Sequence, residues 1–300
     1  MESDPILWGL HLALLLLLPP LFPGVIAKTK AWFAGRSGPP LLQLYFDLFK
    51  LFRKGSVESR TVTFIFRIAP IAMCLPILTA GMLIPLIGPA PVHFQGDVVF
   101  FAYCLAFARF WLIAAALDTG SSFEGMGASR EAAFGALSEL SFFLILVVLA
   151  ILTQNISLSG IFRWESLHAT FNPVFLLLFF SFFLILLAEN CRIPFDDPNT
   201  HLELTMIHEV MVLDNSGPNL GLILYGASVK LFIFMALAVQ LVWPGPPFLF
   251  WIKMVGLAIG IGVVESANAR LRLSKIPQFL AANFVVTIFA LLVAVFGRNF

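Results

Sequence analysis

The chain has 300 residues, of which 60% are hydrophobic and 12% are charged, and its formal net charge at pH 7 is +1. Soluble globular domains are about 45–50% apolar and about 25% charged. The composition therefore excludes a soluble domain and predicts a single integral membrane domain over residues 1–300, with the lipid bilayer as its surroundings and no nucleic-acid partner.

Eight apolar segments are long enough to cross a membrane, since a spanning helix needs about 20 such residues. The segments are continuously apolar rather than alternating, which favours helices over a barrel. We therefore predict an all-α, polytopic membrane protein without an internal repeat. The predicted spans are residues 6–27, 64–88, 97–117, 131–153, 171–189, 219–243, 247–264 and 277–297.

Basic residues are unevenly divided between the two sides of the membrane that alternating loops define. One side collects twelve of them and the other only Arg163 and Arg298. By the positive-inside rule the richer side is cytoplasmic. Both termini are then outside, and we expect a multi-pass protein of the plasma (inner) membrane. The twelve are Lys28, Lys30, Arg36, Lys50, Arg53, Lys54, Arg60, Arg130, Arg192, Arg270, Arg272 and Lys275.

The first two cytoplasmic loops differ in pattern. In the first, Leu41, Leu44, Leu48 and Leu51 recur at helical spacing with charged residues off that stripe, which predicts an amphipathic helix at the membrane surface. The second is rich in glycine between residues 120 and 127, which predicts an irregular loop. A helix capped by Ser129 is expected to follow it.

The third loop, AENCRIPFDDPNTHLELTMIHEVMVLDNSG at 188–217, is the most polar stretch of the chain. Asp197 and Pro198 are typical of a helix start, and we predict a short helix through Leu213 that ends at Gly217. The charged residues and histidines of this loop are Glu189, Arg192, Asp196, Asp197, His201, Glu203, His208, Glu209 and Asp214.

No pattern in the chain points to bond chemistry or to a bound group. The histidines and acids of the third loop lack the HExxH spacing of a zinc site, and the three cysteines form no CxxC pair. Nucleophile, phosphate-loop and dinucleotide motifs are not found. We therefore expect that this chain does no bond chemistry unaided and has no catalytic residue, metal or cofactor of its own.

Four charged residues fall within the predicted spans at similar depth: Arg109, Glu139, Lys230 and Lys253. Each costs about 2.5–3.5 kcal/mol on insertion scales, so such residues usually face the bundle interior. They fit either a hydrated polar path or structural pairs, Glu139 with Arg109 or Lys230, that lock helices together. Glu189 and Glu265 lie at cytoplasmic helix ends, where we expect interfacial exposure.

Three long motifs occur in order along nearly the whole chain: AGRSGPPLLQLYFDLFKLFRK, ALDTGSSFEGMGASREAAFGALSE and AENCRIPFDD. Together they resemble the membrane subunit that anchors respiratory complex I, NADH dehydrogenase subunit 1. The second motif, and ESANARLRL near the last helix, are most similar to the branch found in membrane-bound [NiFe]-hydrogenases, including formate hydrogenlyase and hydrogenase-4 of the component C type.

The resemblance implies a membrane foot for an electron-transfer complex. Its cytoplasmic loops would hold a cluster-bearing small subunit and a [NiFe]-type large subunit, so iron–sulfur clusters and [NiFe] belong to the partners. Its acids would begin a proton path toward antiporter-like membrane subunits. In quinone-using relatives the same loops wall a quinone cavity, which keeps a complex I-like quinone subunit as the alternative.

The resemblance, with the charges inside the spans, gives two sets of site residues. The proton-path set is Glu139, Glu189, Glu203, Asp214, Arg109, Lys230 and Lys253. The partner-docking set is Arg36, Gln43, Asp47, Lys50, Arg130, Arg192, Pro194 and Asp196.

This sequence departs from the quinone-linked pattern in the third loop. Asn199 and His201 replace acids there, and the stretch that contains His208 and Glu209 is about three residues longer. The departures weaken a quinone site, and the two imidazoles are candidates for a proton relay because histidine titrates near neutral pH. Two hypotheses of other classes remain, a stand-alone ion transporter and a purely structural anchor.

Overall fold

The computed structural model describes residues 5–162, 174–197, 205–242 and 247–296, and in these residues the regular structure is entirely helical. The α-helices are α1 (Pro5–Leu17), α2 (Leu21–Phe33), α3 (Gln43–Phe52), α4 (Phe64–Met82), α5 (Asp97–Asp118), α6 (Ser122–Thr153), α7 (Leu158–Ile161), α8 (Val174–Glu189), α9 (Gly217–Val242), α10 (Pro247–Ala267) and α11 (Ile276–Phe296). Short 3₁₀ helices cover Glu209–Val212 and Leu273–Lys275.

The multi-pass prediction is confirmed. Within the described residues, six helices are long and apolar enough to cross a membrane: α4, α5, α6, α9, α10 and α11. The bent pair of α1 and α2 makes a seventh if it counts as one span. The remaining predicted span, 171–189, corresponds to α8, which is apolar but has only 16 described residues.

The first predicted span, 6–27, is two helices rather than one. The chain bends by 43° between α1 and α2, at Pro19 and Pro20. Neither proline has an N–H to continue the helical hydrogen bonds, and each ring crowds the preceding turn. The second helix runs on to Phe33, so Lys28 and Lys30 lie in α2 and not in a loop.

The amphipathic helix of the first cytoplasmic loop is confirmed as α3, which buries Leu48. The prediction of an irregular second loop is wrong, because α6 already begins at Ser122 and runs unbroken for 32 residues. Ser129 lies inside α6 and donates a hydrogen bond to the carbonyl of Met126 instead of capping a helix. Gly127 serves a close approach, since a Cβ there would lie 2.3 Å from Val210.

The third loop is mostly non-helical where it is described. Only Glu209–Val212 forms a 3₁₀ turn, so the predicted helix through Leu213 is wrong for this part. Its predicted start falls on residues 198–204, which lie outside the described residues. Gly217, expected to end that helix, begins α9 with φ +54, a conformation that favours glycine.

The core of the bundle is built around α9. In its spanning window 72% of the residues are buried, against 28% for the last helix. The helices α3, α4, α8 and α10 pack against it, and α5 packs against both α4 and α6. Charged residues on α5, α6, α8 and α9 therefore face one another across the same interior.

Candidate functional site: a buried charge cluster at the end of a cavity

Five charged side chains meet inside the bundle, and we call them the central cluster. They are Arg109 on α5, Glu131 and Glu139 on α6, Glu189 on α8 and Lys230 on α9. Arg109 is the hub: its Nη1 lies 2.6 Å from Glu139 Oε1 and its Nε lies 3.4 Å from Glu131 Oε1. Its Nη2 contacts Glu189. One guanidinium therefore joins three carboxylates from two helices.

Glu189 is the most enclosed acid of the cluster, with its side chain only 5% exposed. Lys230 Nζ lies 2.8 Å from its Oε2 and also donates to its main-chain carbonyl at 2.8 Å. The hydroxyl of Ser138 donates to Oε1. The expectation that Glu189 is exposed at the interface is therefore wrong, because α8 ends inside the protein and not at its surface.

The charges of the central cluster do not balance. Three carboxylates face two cations, which leaves a net charge of −1 when all five groups are ionised. An uncompensated charge away from water costs several kcal/mol. Glu139 is the most accessible acid, with 32% of its side chain exposed, and Arg109 is its one ion-pair partner in the described part of the chain. Glu139 is accordingly the acid of the cluster that this chain encloses least.

Gly135 allows Arg109 to approach α6. A Cβ at this position would lie 2.5 Å from Arg109 Nη1 and 2.9 Å from its Cζ. Glu131 and Gly135 lie within the second motif but are not among the site residues predicted from the sequence. A signal for Glu131 exists in α6, where Glu124, Glu131 and Ser138 are seven residues apart and therefore share one face of the helix.

A cavity of about 190 Å³ ends at the central cluster. Most of its wall is apolar and comes from α4, α5 and α9, with residues such as Met73, Leu105 and Ala227. Its polar end is formed by Arg109, Glu131, Glu189, Cys191, Arg192, His208, Glu209 and Lys230. The third loop and the midplane charges thus meet at one place, although their positions in the sequence are far apart.

Two sets of buried ion pairs hold the third loop in place, one at Asp196 and one at Glu265. Asp196 is 1% exposed, accepts hydrogen bonds from the amides of Ile207 and His208, and pairs with Arg270 at 2.8 Å. Glu265 also lies inside the protein, where Lys30 approaches it at 2.8 Å.

Arg192 of the third loop also pairs with Glu265, at 3.5 Å. The predicted interfacial exposure of Glu265 is therefore wrong, since its side chain is 0% exposed. Asp196 and Arg192 stabilise the loop inside this chain, and their docking role stays a prediction.

The other predicted docking residues lie on or near the surface. Arg36 and Lys50 are exposed, and Gln43 donates to Asp47 at 3.0 Å along α3. Arg130 donates to the carbonyl of Met206 at 2.8 Å, which ties α6 to the third loop. The Pro194 carbonyl accepts the amide of Leu271 at 2.9 Å.

The structure brings together four of the seven residues predicted for the proton path. They are the central-cluster residues Arg109, Glu139, Glu189 and Lys230. Asp214 is exposed, and its amide donates to Glu124 at 3.0 Å. Lys253 lies on α10 and does not line the cavity. Glu203 lies outside the described residues.

Comparison with known proteins identifies the family of this bundle. The sequence profile described as NADH dehydrogenase matches residues 7–296. The chain belongs to this family. Within the NADH dehydrogenase family, it is 30% identical over 298 residues to formate hydrogenlyase subunit 4 of Escherichia coli (strain K12), covering 93% of this chain and 95% of that protein.

A second NADH dehydrogenase family relative is hydrogenase-4 component C of the same organism. It is 34% identical over 237 residues, which are 77% of this chain and 73% of the relative. The fold is also similar to a chain in the structure of the membrane-bound sulfane sulfur reductase, an archaeal respiratory membrane complex. That similarity has a TM-score of 0.83 at 18% identity and covers 95% of this chain and 97% of the other.

Proposed function

We propose that this chain is the membrane-anchoring, ion-translocation-coupling subunit of a membrane-bound hydrogenase or formate hydrogenlyase-like complex. The observation that carries the proposal is the central cluster, where three carboxylates share Arg109 and Lys230 at the polar end of a cavity. A set of acids with one carboxylate in excess holds or releases a proton when a nearby charge changes.

The proposed coupling begins at the cytoplasmic loops. Electron arrival in a cluster-bearing partner changes the charge beside the third loop, whose His208 and Glu209 line the cavity. The guanidinium of Arg109 then shifts its contact between Glu139 and Glu189, and the carboxylate that loses this contact binds a proton. A polar, internally paired route of this kind is typical of ionisable residues in membrane bundles.

The chemistry of electron transfer is assigned to other subunits. The proposed partners are a hydrogenase-like small subunit with iron–sulfur clusters, a large subunit of the [NiFe] type, and antiporter-like membrane subunits. Family membership and relatives that are subunits of multi-subunit membrane complexes support such partners. The chain itself acts as a non-catalytic subunit, with no cofactor of its own required for the proposed coupling.

Replacing Glu139 by Gln in the complete complex, in sealed vesicles, tests the proposal. The substitution keeps the size of the side chain but removes the carboxylate that takes up the proton. We expect electron transfer to continue while ion translocation is lost. Glu58→Gln is the matched control, because Glu58 forms an exposed ion pair with Arg67 at 2.7 Å. Undiminished translocation in an intact Glu139→Gln complex would favour a structural anchor instead.

Two measurements separate this proposal from its alternatives. Ion transport by the purified chain alone, in vesicles, would favour a stand-alone transporter. The apolar wall of the cavity favours a quinone-cavity subunit as the second candidate, since an apolar ring fits such a wall. Quinone reduction by the complex that is abolished by Ala227→Phe, which fills the cavity, would favour that candidate.

A further inference from the structure

Three side chains of different chemistry converge at the polar end of the cavity. They are Glu131 of α6, Cys191 in the turn after α8, and His208 before the 3₁₀ turn. A carboxylate oxygen, the thiol sulfur and a ring nitrogen of these residues all lie within 4.8 Å of one another. All three line the cavity.

This combination of donor atoms suits Zn²⁺, which binds cysteine sulfur, histidine nitrogen and carboxylate oxygen in tetrahedral geometry. Bonds of about 2.0–2.3 Å place tetrahedral ligand atoms about 3.3–3.8 Å apart. Atoms that already lie within 4.8 Å reach this spacing by small side-chain rotations. The cavity leaves room for a water as the fourth ligand.

The backbone holds each of the three groups in place. The amide of His208 donates to Asp196 at 3.1 Å, and Asp196 is fixed in turn by Arg270. The turn with Cys191 is closed by the amide of Arg192, which donates to the carbonyl of Leu187 at 2.8 Å. Glu131 projects from α6, so each donor comes from a fixed position of the backbone.

The charges around the site also favour a dication. Zn²⁺ carries two positive charges and binds cysteine as the thiolate. Compared with the neutral thiol, a bound ion with Cys191 as ligand therefore adds a net charge of +1. The central cluster has three carboxylates and two cations, so this addition cancels its charge of −1.

We propose that Glu131, Cys191 and His208 form a Zn²⁺-binding site at the polar end of the cavity. No sequence pattern indicates this site, because Glu131 is far along the chain from Cys191 and His208, and none of the three belongs to a metal motif. Glu131 has two oxygens, so it can bind the metal and keep Arg109 as the group that orients it. The site shares Glu131 with the central cluster, but zinc binding is measured without ion translocation, so the failure of one proposal is distinguishable from the failure of the other.

Zinc binding by the purified full chain in detergent tests the proposal, with free Zn²⁺ set by a chromophoric chelator. We expect one Zn²⁺ per wild-type chain and loss of this binding in Cys191→Ser and in His208→Gln. The matched controls are Cys74→Ser, a buried cysteine of α4, and His93→Gln, which lies outside the cavity lining. Both controls should bind like the wild type.

A second measurement uses only the wild-type chain and so does not depend on whether a variant folds. Co²⁺ replacing Zn²⁺ in the wild-type chain should give a thiolate-to-metal charge-transfer band, because Cys191 becomes a ligand. The proposal is overturned if the wild type binds no stoichiometric Zn²⁺ and shows no such band. It is equally overturned if folded Cys191→Ser and His208→Gln bind Zn²⁺ as tightly as the wild type.

Discussion

Arg109 Nη1 lies 2.6 Å from Glu139 Oε1, across the interface of α5 and α6, with only 9% of the arginine side chain exposed. The same guanidinium also contacts Glu131 and Glu189. A substitution of Arg109 or of Glu139 therefore changes the net charge of the whole central cluster and not only one ion pair. This relationship explains why the structural-pair hypothesis and the proton-path hypothesis concern the same residues.

Arg109→Gln should be strongly destabilising. It leaves three carboxylates with Lys230 as their one remaining cation in the cluster, and breaking a buried ion pair costs about 3–5 kcal/mol. Denaturant unfolding of the chain in detergent measures the change. Arg67→Gln is the control, since Arg67 is 64% exposed in its pair with Glu58, and exposed pairs contribute about 0–1 kcal/mol. Equal losses in the two variants would contradict the central cluster.

Gly135→Ala should displace the guanidinium of Arg109. The new Cβ would lie 2.5 Å from Nη1, so the side chain must move off Glu139. We expect a loss of about 1–3 kcal/mol in unfolding free energy, as for other overpacked sites, together with weaker ion translocation.

Gly125→Ala is the matched control for this prediction. Gly125 lies in the same helix with nothing within 4 Å of the added Cβ. It should be neutral or gain up to about 0.5–1 kcal/mol in unfolding free energy, because alanine is the better helix former. If both alanine variants were stabilised, Gly135 would have no role in seating Arg109.

Asp196→Asn should loosen the third loop. The carboxylate accepts the amides of Ile207 and His208 and pairs with Arg270, and hydrogen bonds to charged groups contribute about 1.5–3 kcal/mol. Hydrogen exchange of these two amides should become about ten- to hundredfold faster. Asp214→Asn, at an exposed aspartate of the same loop, should leave exchange unchanged. Unaltered protection in Asp196→Asn would mean that other contacts hold the loop.

Tyr45 should make stability depend on alkaline pH. Its hydroxyl donates to the carbonyl of Leu17 at the end of α1, and burial raises its pKa above the ordinary value of 10.0. The unfolded tyrosine thus ionises first, so the contribution is complete below pH 10.0 and is lost as pH rises through the folded pKa. The stability difference between wild type and Tyr45→Phe, measured by unfolding, should therefore shrink above that pH. A difference independent of pH would exclude this role.

Local sequence patterns predict the fold of this chain better than they predict its candidate site. The positions of α4, α5, α9, α10 and α11 follow from apolar runs, because a spanning helix satisfies its own backbone and needs only a long apolar segment. The break after Leu17 was also readable from Pro19 and Pro20, although the run as a whole suggested one span. The length of α6 was not readable, because the glycines after Gly120 suggested a turn, whereas Gly125 lies in open space on the helix and Gly127 and Gly135 allow close packing.

The sequence by itself determined the class of the protein, the approximate spans, the amphipathic α3 and the family resemblance. All of these depend on residues that are close together in the chain. Only the tertiary structure decided that Glu189 and Glu265 are buried, that Glu131 joins Arg109, and that Cys191 faces His208.

The physical reason is the range of the interactions. Arg109 reaches across 30 residues to Glu139 and 80 to Glu189, and electrostatic pairing inside a bundle depends on which helix faces meet. That choice is made by the packing of α5, α6, α8 and α9 together, which no single segment specifies.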